Sequence, residues 1–241
     1  MHRLGTLALT AALSCGLVGI APVASAEETC ADPEHPIRGT NRLDAAVGVE
    51  VTTFELGVYP GTGCGVTSAV AIVTSSRHVY RVTLHQRPTV GDLPVDSWVG
   101  DLVLRPKTLR NSEAGSWTVR YEVDGAHPGV EEDAYGQVVR QTRARFDAGP
   151  EPVRRNKITY SGRLERADWD TRRFSGISAD VHITRTADDD GFSEVATPTT
   201  RDNGRFRVKQ PFPGPGTYRL YYPGDTISAS VYSRADHVAA P

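Results

Sequence analysis

The chain has 241 residues, 27 Lys and Arg against 29 Asp and Glu, a formal charge of −2, and 39% hydrophobic residues. A chain this close to neutral has no overall field to draw in nucleic acid, which disfavours that partner class. The basic side is almost all arginine, with Lys107, Lys157 and Lys209 as the lysines, and with the abundant Ala, Val and Gly it fits a GC-rich bacterial source.

Residues 1–26 read as a cleaved export signal. Met1-His2-Arg3 is the short positive start, residues 4–20 are apolar without an acid, and Ala24-Ser25-Ala26 is the small-residue pattern before a cut at Glu27. The mature chain is then expected outside the cytoplasm, in an oxidising compartment, with 26 basic and 29 acidic side chains. Two alternatives compete. Cys15 could be a lipoprotein cysteine, although Ala12-Leu13-Ser14 puts the leucine one place too late and the apolar run continues beyond it. An uncleaved anchor is opposed by the Gly and Pro that break the run, so no membrane span is expected in the mature chain. The C-terminal His237-Val238-Ala239-Ala240-Pro241 has neither a sorting motif nor an apolar tail, which predicts release.

Removal of the signal leaves Cys30 and Cys64. Two cysteines in an exported chain allow one connectivity, so an intramolecular disulfide is expected. From there to residue 147, short runs alternate apolar and polar residues. Val47 to Val51, 69–74, 80–84, 98–104, 117–123 and 138–146 read as strands, with Trp117, Val119, Tyr121 and Val123 on one face. Pro60-Gly61-Thr62-Gly63 marks a turn. Residues 148–153, with two prolines and a glycine, read as a linker between a domain at 27–147 and a second at 154–241. The alternation resumes at Ile158, Tyr160 and Leu164, at Val181 and Ile183, at Phe206 and Val208, and at Tyr218, Leu220 and Tyr222. Asp202-Asn203-Gly204 predicts a tight turn, and residues 167–170 a short helical turn. The fold class is all-β: two tandem antiparallel β-sandwiches.

The second half carries a resemblance. Pro215-Gly216-Thr217-Tyr218, then Tyr222-Pro223-Gly224-Asp225 followed by Ser228 and Ser230, looks like the terminal hairpin of bacterial Ig-like repeat domains. Pro150-Glu151-Pro152-Val153 through Gly162-Arg163-Leu164 and Ala167-Asp168-Trp169 is similar to the opening of such modules in secreted actinobacterial proteins. The resemblance spans residues 150–239 and implies an Ig-like fold, with a Gly-Thr-Tyr opening one strand and a Tyr-x-Gly-Asp turn closing it. Members are mostly structural, adhesive or spacer modules; the first half matches only in strand pattern.

Signatures of chemistry are sparse. Gly61-Thr62-Gly63-Cys64-Gly65 has the glycine rhythm of a nucleophile turn, but a sulfur held in a disulfide cannot attack. The histidines, His78, His85 and His182 among them, lack paired-ligand spacing and read as solvated strand positions. Asp188-Asp189-Asp190-Gly191 with Glu194 could offer calcium oxygen ligands, Asp188 and Asp190 first, though it reads more simply as a solvated hairpin tip. Glu131-Glu132-Asp133 is a weaker cluster. Arg154-Arg155 and Lys157, with Arg172-Arg173 joining them in space, form a compact basic group suited to an anionic wall polymer or lipid headgroups, or to guarding a strand edge. Trp98, Trp169 and Tyr221 could stack on sugar rings. No catalytic residue and no cofactor is predicted. The functional expectation is a secreted, non-enzymatic binding or structural module whose partner is a cell-wall polymer, a carbohydrate or a protein. Its competitors are a hydrolase with a site assembled from distant residues and an adhesin or inhibitor presenting residues 124–136.

Overall fold

The computed structural model describes residues 30–87, 97–154, 156–187 and 191–239, without the side chains of Glu132, Asp133, Ala134, Glu151, Pro152 and Arg154. The export signal, Cys15, Asp188 and Asp190 lie outside the described residues. Among those described, the regular structure is strand throughout, apart from one 3-10 turn at Asn111–Glu113. None of them forms a helix long and apolar enough to cross a membrane.

The first unit holds β1 (Ile37–Thr40), β2 (Asp44–Val47), β3 (Thr52–Pro60), β4 (Val66–Thr74), β5 (Val79–Arg87), β6 (Ser97–Leu104), β7 (Gly115–Gly125) and β8 (Gly129–Arg140). They run in the order β1-β3-β6-β5-β4-β7-β8-β2. The path folds on itself at β5, whose first half pairs with β4 while His85, Gln86 and Arg87 pair with β6. One strand thus serves both layers of the sandwich. Alternation does what it implies: Trp117, Val119, Tyr121 and Val123 are buried at 1%, 0%, 0% and 4% exposure, facing Leu56, Leu102 and Leu104. Each such side chain contributes about 1.5–3 kcal/mol by leaving water. The expected all-antiparallel arrangement fails at β2, which pairs β8 in parallel. The parallel pair needs a long connection, and the rest of the unit supplies it. The strand expected from Val47 to Val51 ends at Val47, where the carbonyl accepts from Gln141 N at 2.9 Å.

The second unit holds β9 (Thr142–Arg154), β10 (Lys157–Asp168), β11 (Arg173–Gly176), β12 (His182–Thr186), β13 (Ser193–Ala196), β14 (Arg205–Pro211), β15 (Gly216–Tyr222), β16 (Val231–Tyr232) and β17 (Asp236–Val238). In one layer β10 lies between β9 on one side and β14 and β11 on the other. The facing layer runs β13-β12-β15, with β16 and β17 beside β15. Ile158, Tyr160, Leu164, Val181, Ile183, Tyr218 and Leu220, each fully buried, fill the space between. Tyr218 donates its hydroxyl to Gly214 O at 2.5 Å, the tyrosine corner typical of Ig-like sandwiches. The hairpin ending matches expectation, since β15 opens at Gly216 and Gly224 turns the chain at φ 81. So does the Asp202-Asn203-Gly204 turn, where Gly204 has φ 78 and a Cβ would meet Leu164 O at 2.1 Å.

Two local expectations are corrected. Residues 148–153 belong to β9, and Ala148 and Val153 are buried. Proline is tolerated there because β9 is an edge strand, and because the register slips between Thr159, opposite Gly149, and Lys157, opposite Arg154. The chain instead leaves one unit for the other at Gln141, between β8 and β9. The helical turn expected at 167–170 is the end of β10 and a β-turn in which Arg172 adopts φ 58.

That β-turn joins the units. Trp169 is 1% exposed and, with Ala167, packs in the core of the first unit, its Nε1 donating to Val47 O at 3.1 Å. Asn111 clasps it from the other side: Nδ2 donates to Asp168 Oδ1 at 2.9 Å and Oδ1 accepts from Trp169 N at 2.9 Å. Arg140 and Ser228 form a parallel bridge, and Ala229 N donates to Arg140 O at 3.0 Å.

Candidate functional site

The outward face of β9, β10 and β14 carries an unusual row. Because Ile158, Tyr160 and Leu164 point inward, Ser161 and Arg163 of β10 point out. Register places Arg145 of β9 and Arg205 of β14 directly opposite Arg163. Three arginines on one rung repel, since like charges opposite each other across strands destabilise a sheet. The next rung adds Asp147, Ser161 and Arg207. Arg201, whose backbone N–H donates to Arg205 O at 2.9 Å, comes in from the preceding turn.

Together Arg145, Arg163, Arg201, Arg205 and Arg207 line an open groove of about 530 Å³. Its floor is backbone. On the core side beneath it, a Cβ at Gly162 would strike Arg145 O at 2.4 Å and the Phe206 ring at 2.6 Å, so glycine there lets the Phe206 ring lie against β10. The central arginine is held from below. Glu165, 2% exposed, accepts from Arg163 at 3.2 Å and from Arg143 at 2.8 Å, and Arg163 Nε donates to Asn203 O at 3.3 Å. No ion pair joins Arg145, Arg201, Arg205 or Arg207 to a carboxylate among the described residues. Chemically, the groove is a set of guanidinium forks fit for oxyanions.

The sequence pointed to other arginines. Lys157 lies on the same outward face of β10, but Arg173 pairs with Asp168 at the opposite end of that strand, so the two groups do not come together. Arg155 lies outside the described residues. The signal that was missed is the alternation Arg143-Ala-Arg145 and Arg205-Phe-Arg207-Val-Lys209, period-2 arginines that share a face.

The aromatic candidates are largely consumed by packing. Trp98 and Trp169 are buried, at 9% and 1% exposure, and Tyr221 stacks on Tyr232 with centroids 4.4 Å apart. On the same sheet face, Arg219 lies 3.5 Å over Phe192 and 4.3 Å over Tyr232. Residues 124–136 form the β7–β8 hairpin with only 126–128 outside strands, so the long loop expected of an adhesin or inhibitor is absent.

His78 departs from the solvated reading. Its Nδ1 meets Glu113 Oε1 at 2.7 Å, and Glu113 also accepts from Ser75 Oγ at 2.8 Å and from Arg110 N at 2.8 Å. Burial alone would raise the Glu113 carboxyl; the hydrogen bonds from His78, Ser75 and Arg110 hold it below its usual range. Serine, histidine and acid are all present, but the carboxylate stands in the middle. A hydrolytic triad needs the imidazole between serine and acid; here Ser75 Oγ donates to Glu113 itself, which makes the cluster a brace for the β4–β5 turn. His182 likewise pairs with Glu194, at 2.5 Å, and Glu194 also accepts from Thr197 at 2.8 Å. The described residues hold no group of three or more potential metal ligands. Cys30 and Cys64 are joined as expected, their Cα atoms 4.2 Å apart.

No family model matches the chain, and no curated protein does. Among solved structures it is similar to a transglutaminase of red sea bream, at 9% identity and TM-score 0.35, covering 86% of this chain and 31% of that one. It is also similar to the amphioxus IgVJ-C2 molecule, at 12% identity and TM-score 0.29, over 81% of this chain and 99% of that one. A third is a DUF3823 family protein from Bacteroides uniformis ATCC 8492, at 10% identity and TM-score 0.30, over 85% and 95%. The chain spans less than a third of the transglutaminase's length.

Proposed function

We propose that this chain is a secreted, non-catalytic binding module: two Ig-like sandwiches of the type found in secreted actinobacterial proteins, joined into one rigid body that presents the arginine groove at or beyond the cell envelope. The observation that carries the reading is the Arg145-Arg163-Arg205 rung, in which Arg163 shares Glu165 with Arg143 while Arg145 and Arg205 have no carboxylate partner among the described residues. Repulsion of this kind is relieved by a counter-charge, and a groove built from charge on rigid strands is a place for a ligand to lie. Export is supported by the leader at residues 1–26 and agrees with the Cys30–Cys64 disulfide.

Fractionation of a culture tests the location. The protein should appear in the medium or be washed from envelopes by salt; recovery only in the detergent-soluble membrane fraction would overturn the reading in favour of a Cys15 lipoprotein. A hydrolase with a site assembled from distant residues competes with this reading, and Ser75, beside His78 and Glu113, is the serine to test first. Labelling of Ser75 by a fluorophosphonate probe would sink the non-catalytic reading, and no labelling is expected.

A further inference from the structure

We propose that the arginine groove of β9, β10 and β14 binds a phosphate-bearing polymer that lies across the three strands. The proposal rests on the binding-module reading above and gives its ligand a chemical class. Three features of the groove lead there.

The first is the layout of charge. Arg145, Arg163 and Arg205 run across the sheet at the strand spacing of about 4.8 Å, and Arg205 and Arg207 repeat along β14 at about 7 Å. A single small anion would satisfy two or three of these groups. Five arginines lining one open groove call for a ligand with several charges in series.

The second is the donor geometry. Guanidinium forks arrive from three strands and a turn and meet over a floor of backbone, and a phosphate group has oxygens enough to accept from several of them at once. Glu165 and Asn203 O fix the orientation of Arg163 before any ligand arrives, which cuts the ordering cost of binding. Asp147, opposite Ser161 on the second rung, sets a carboxylate on the β9 side.

The third decides between phosphate polymers. A single-stranded nucleic acid is gripped by aromatic rings interleaved with the basic groups, one base stacked on each. Among the described residues, the one aromatic lining this groove is Phe206, 6% exposed and turned into the core against Gly162. A polymer whose backbone carries phosphate without bases fits the site; an oligonucleotide finds nothing to stack on.

The test is direct binding of long-chain inorganic polyphosphate to the full mature chain at low salt, with polyglutamate and oligothymidylate of matched charge as comparators. Polyphosphate should bind most tightly, with affinity falling steeply as salt rises. Arg205→Glu/Arg207→Glu should weaken it by about a hundredfold and lower the salt slope by about two. Arg145→Glu alone should cost about tenfold. Arg77→Glu, an exposed arginine of the first unit, should change affinity by less than about twofold. Unfolding midpoints of all variants show that they are folded, and Arg145→Glu keeps the test alive if the double variant is not. Equal binding of polyglutamate would overturn phosphate as the ligand, and tighter binding of oligothymidylate would hand the groove to nucleic acid. Equal losses in Arg205→Glu/Arg207→Glu and Arg77→Glu would refute the groove as the site. If polyphosphate fails to bind while salt-eluted envelope association persists and is lost in Arg205→Glu/Arg207→Glu, the ligand class falls and the binding-module reading stands.

Discussion

Tyr218 shows how much one side chain can settle. Its ring is fully buried between the layers of the second unit and its hydroxyl reaches back to Gly214 O. Tyr218→Ala should lower stability by about 3–5 kcal/mol through the cavity, and Tyr218→Phe by about 1 kcal/mol through the lost hydrogen bond, both read from urea unfolding. Cys64→Ser releases a closure over 34 residues and should cost about 3–4 kcal/mol, mainly by freeing the unfolded chain; unchanged unfolding of the oxidised protein would contradict this. Glu113 gives a pH dependence. Its carboxyl is held below its ordinary value by His78, Ser75 and Arg110 despite burial, so its contribution is present above the unfolded value of about 4 and is lost as pH falls through the lower folded one. Asp168 and Asp225, at the junction of the units, are lowered in the same direction: burial opposes, and hydrogen bonds from Asn111 and Thr171, and from Ile227 and Ser228, outweigh it. The unfolding midpoint should therefore drop below about pH 4 and change little from these groups between pH 5 and 7. Glu113→Gln should flatten that acid limb. The core faces of β7 and β15 could be read from Trp117 to Val123 and from Tyr218 to Tyr222, since alternation by itself assigns sides. The Ser75–His78–Glu113 cluster could not, because Glu113 lies 35 residues from His78 and 38 from Ser75, across β5 and β6.

At the scale of elements, the turn between β10 and β11 is the informative one. It belongs by chain to the second unit and by packing to the first, where Trp169 is buried and bonded to Val47 O. Trp169→Ala should destabilise the first unit by about 3–5 kcal/mol although the substitution lies in the second. In hydrogen exchange, amides of β2 and β8 should lose protection, whereas those of β12 and β15 should not. Local composition predicts a helical turn at 167–170 and a linker at 148–153. Proline on an edge strand and tryptophan in a turn follow from tertiary neighbours, which composition does not report.

For the whole molecule, the shared tryptophan, the Arg140–Ser228 bridge and the Asn111 clasp imply one cooperative unit. A calorimetric scan should show one transition in the native chain and two in Trp169→Ala. Length, alternation and turn chemistry by themselves determined an all-β chain in two sandwiches with a single disulfide, because each of those signals is local or, for two cysteines, leaves one outcome. Tertiary structure alone decided the parallel β2–β8 pair, the changeover at Gln141 and the arginine groove. Each depends on register between strands far apart in the chain, and Arg145, Arg163 and Arg205 become neighbours only when β9, β10 and β14 align.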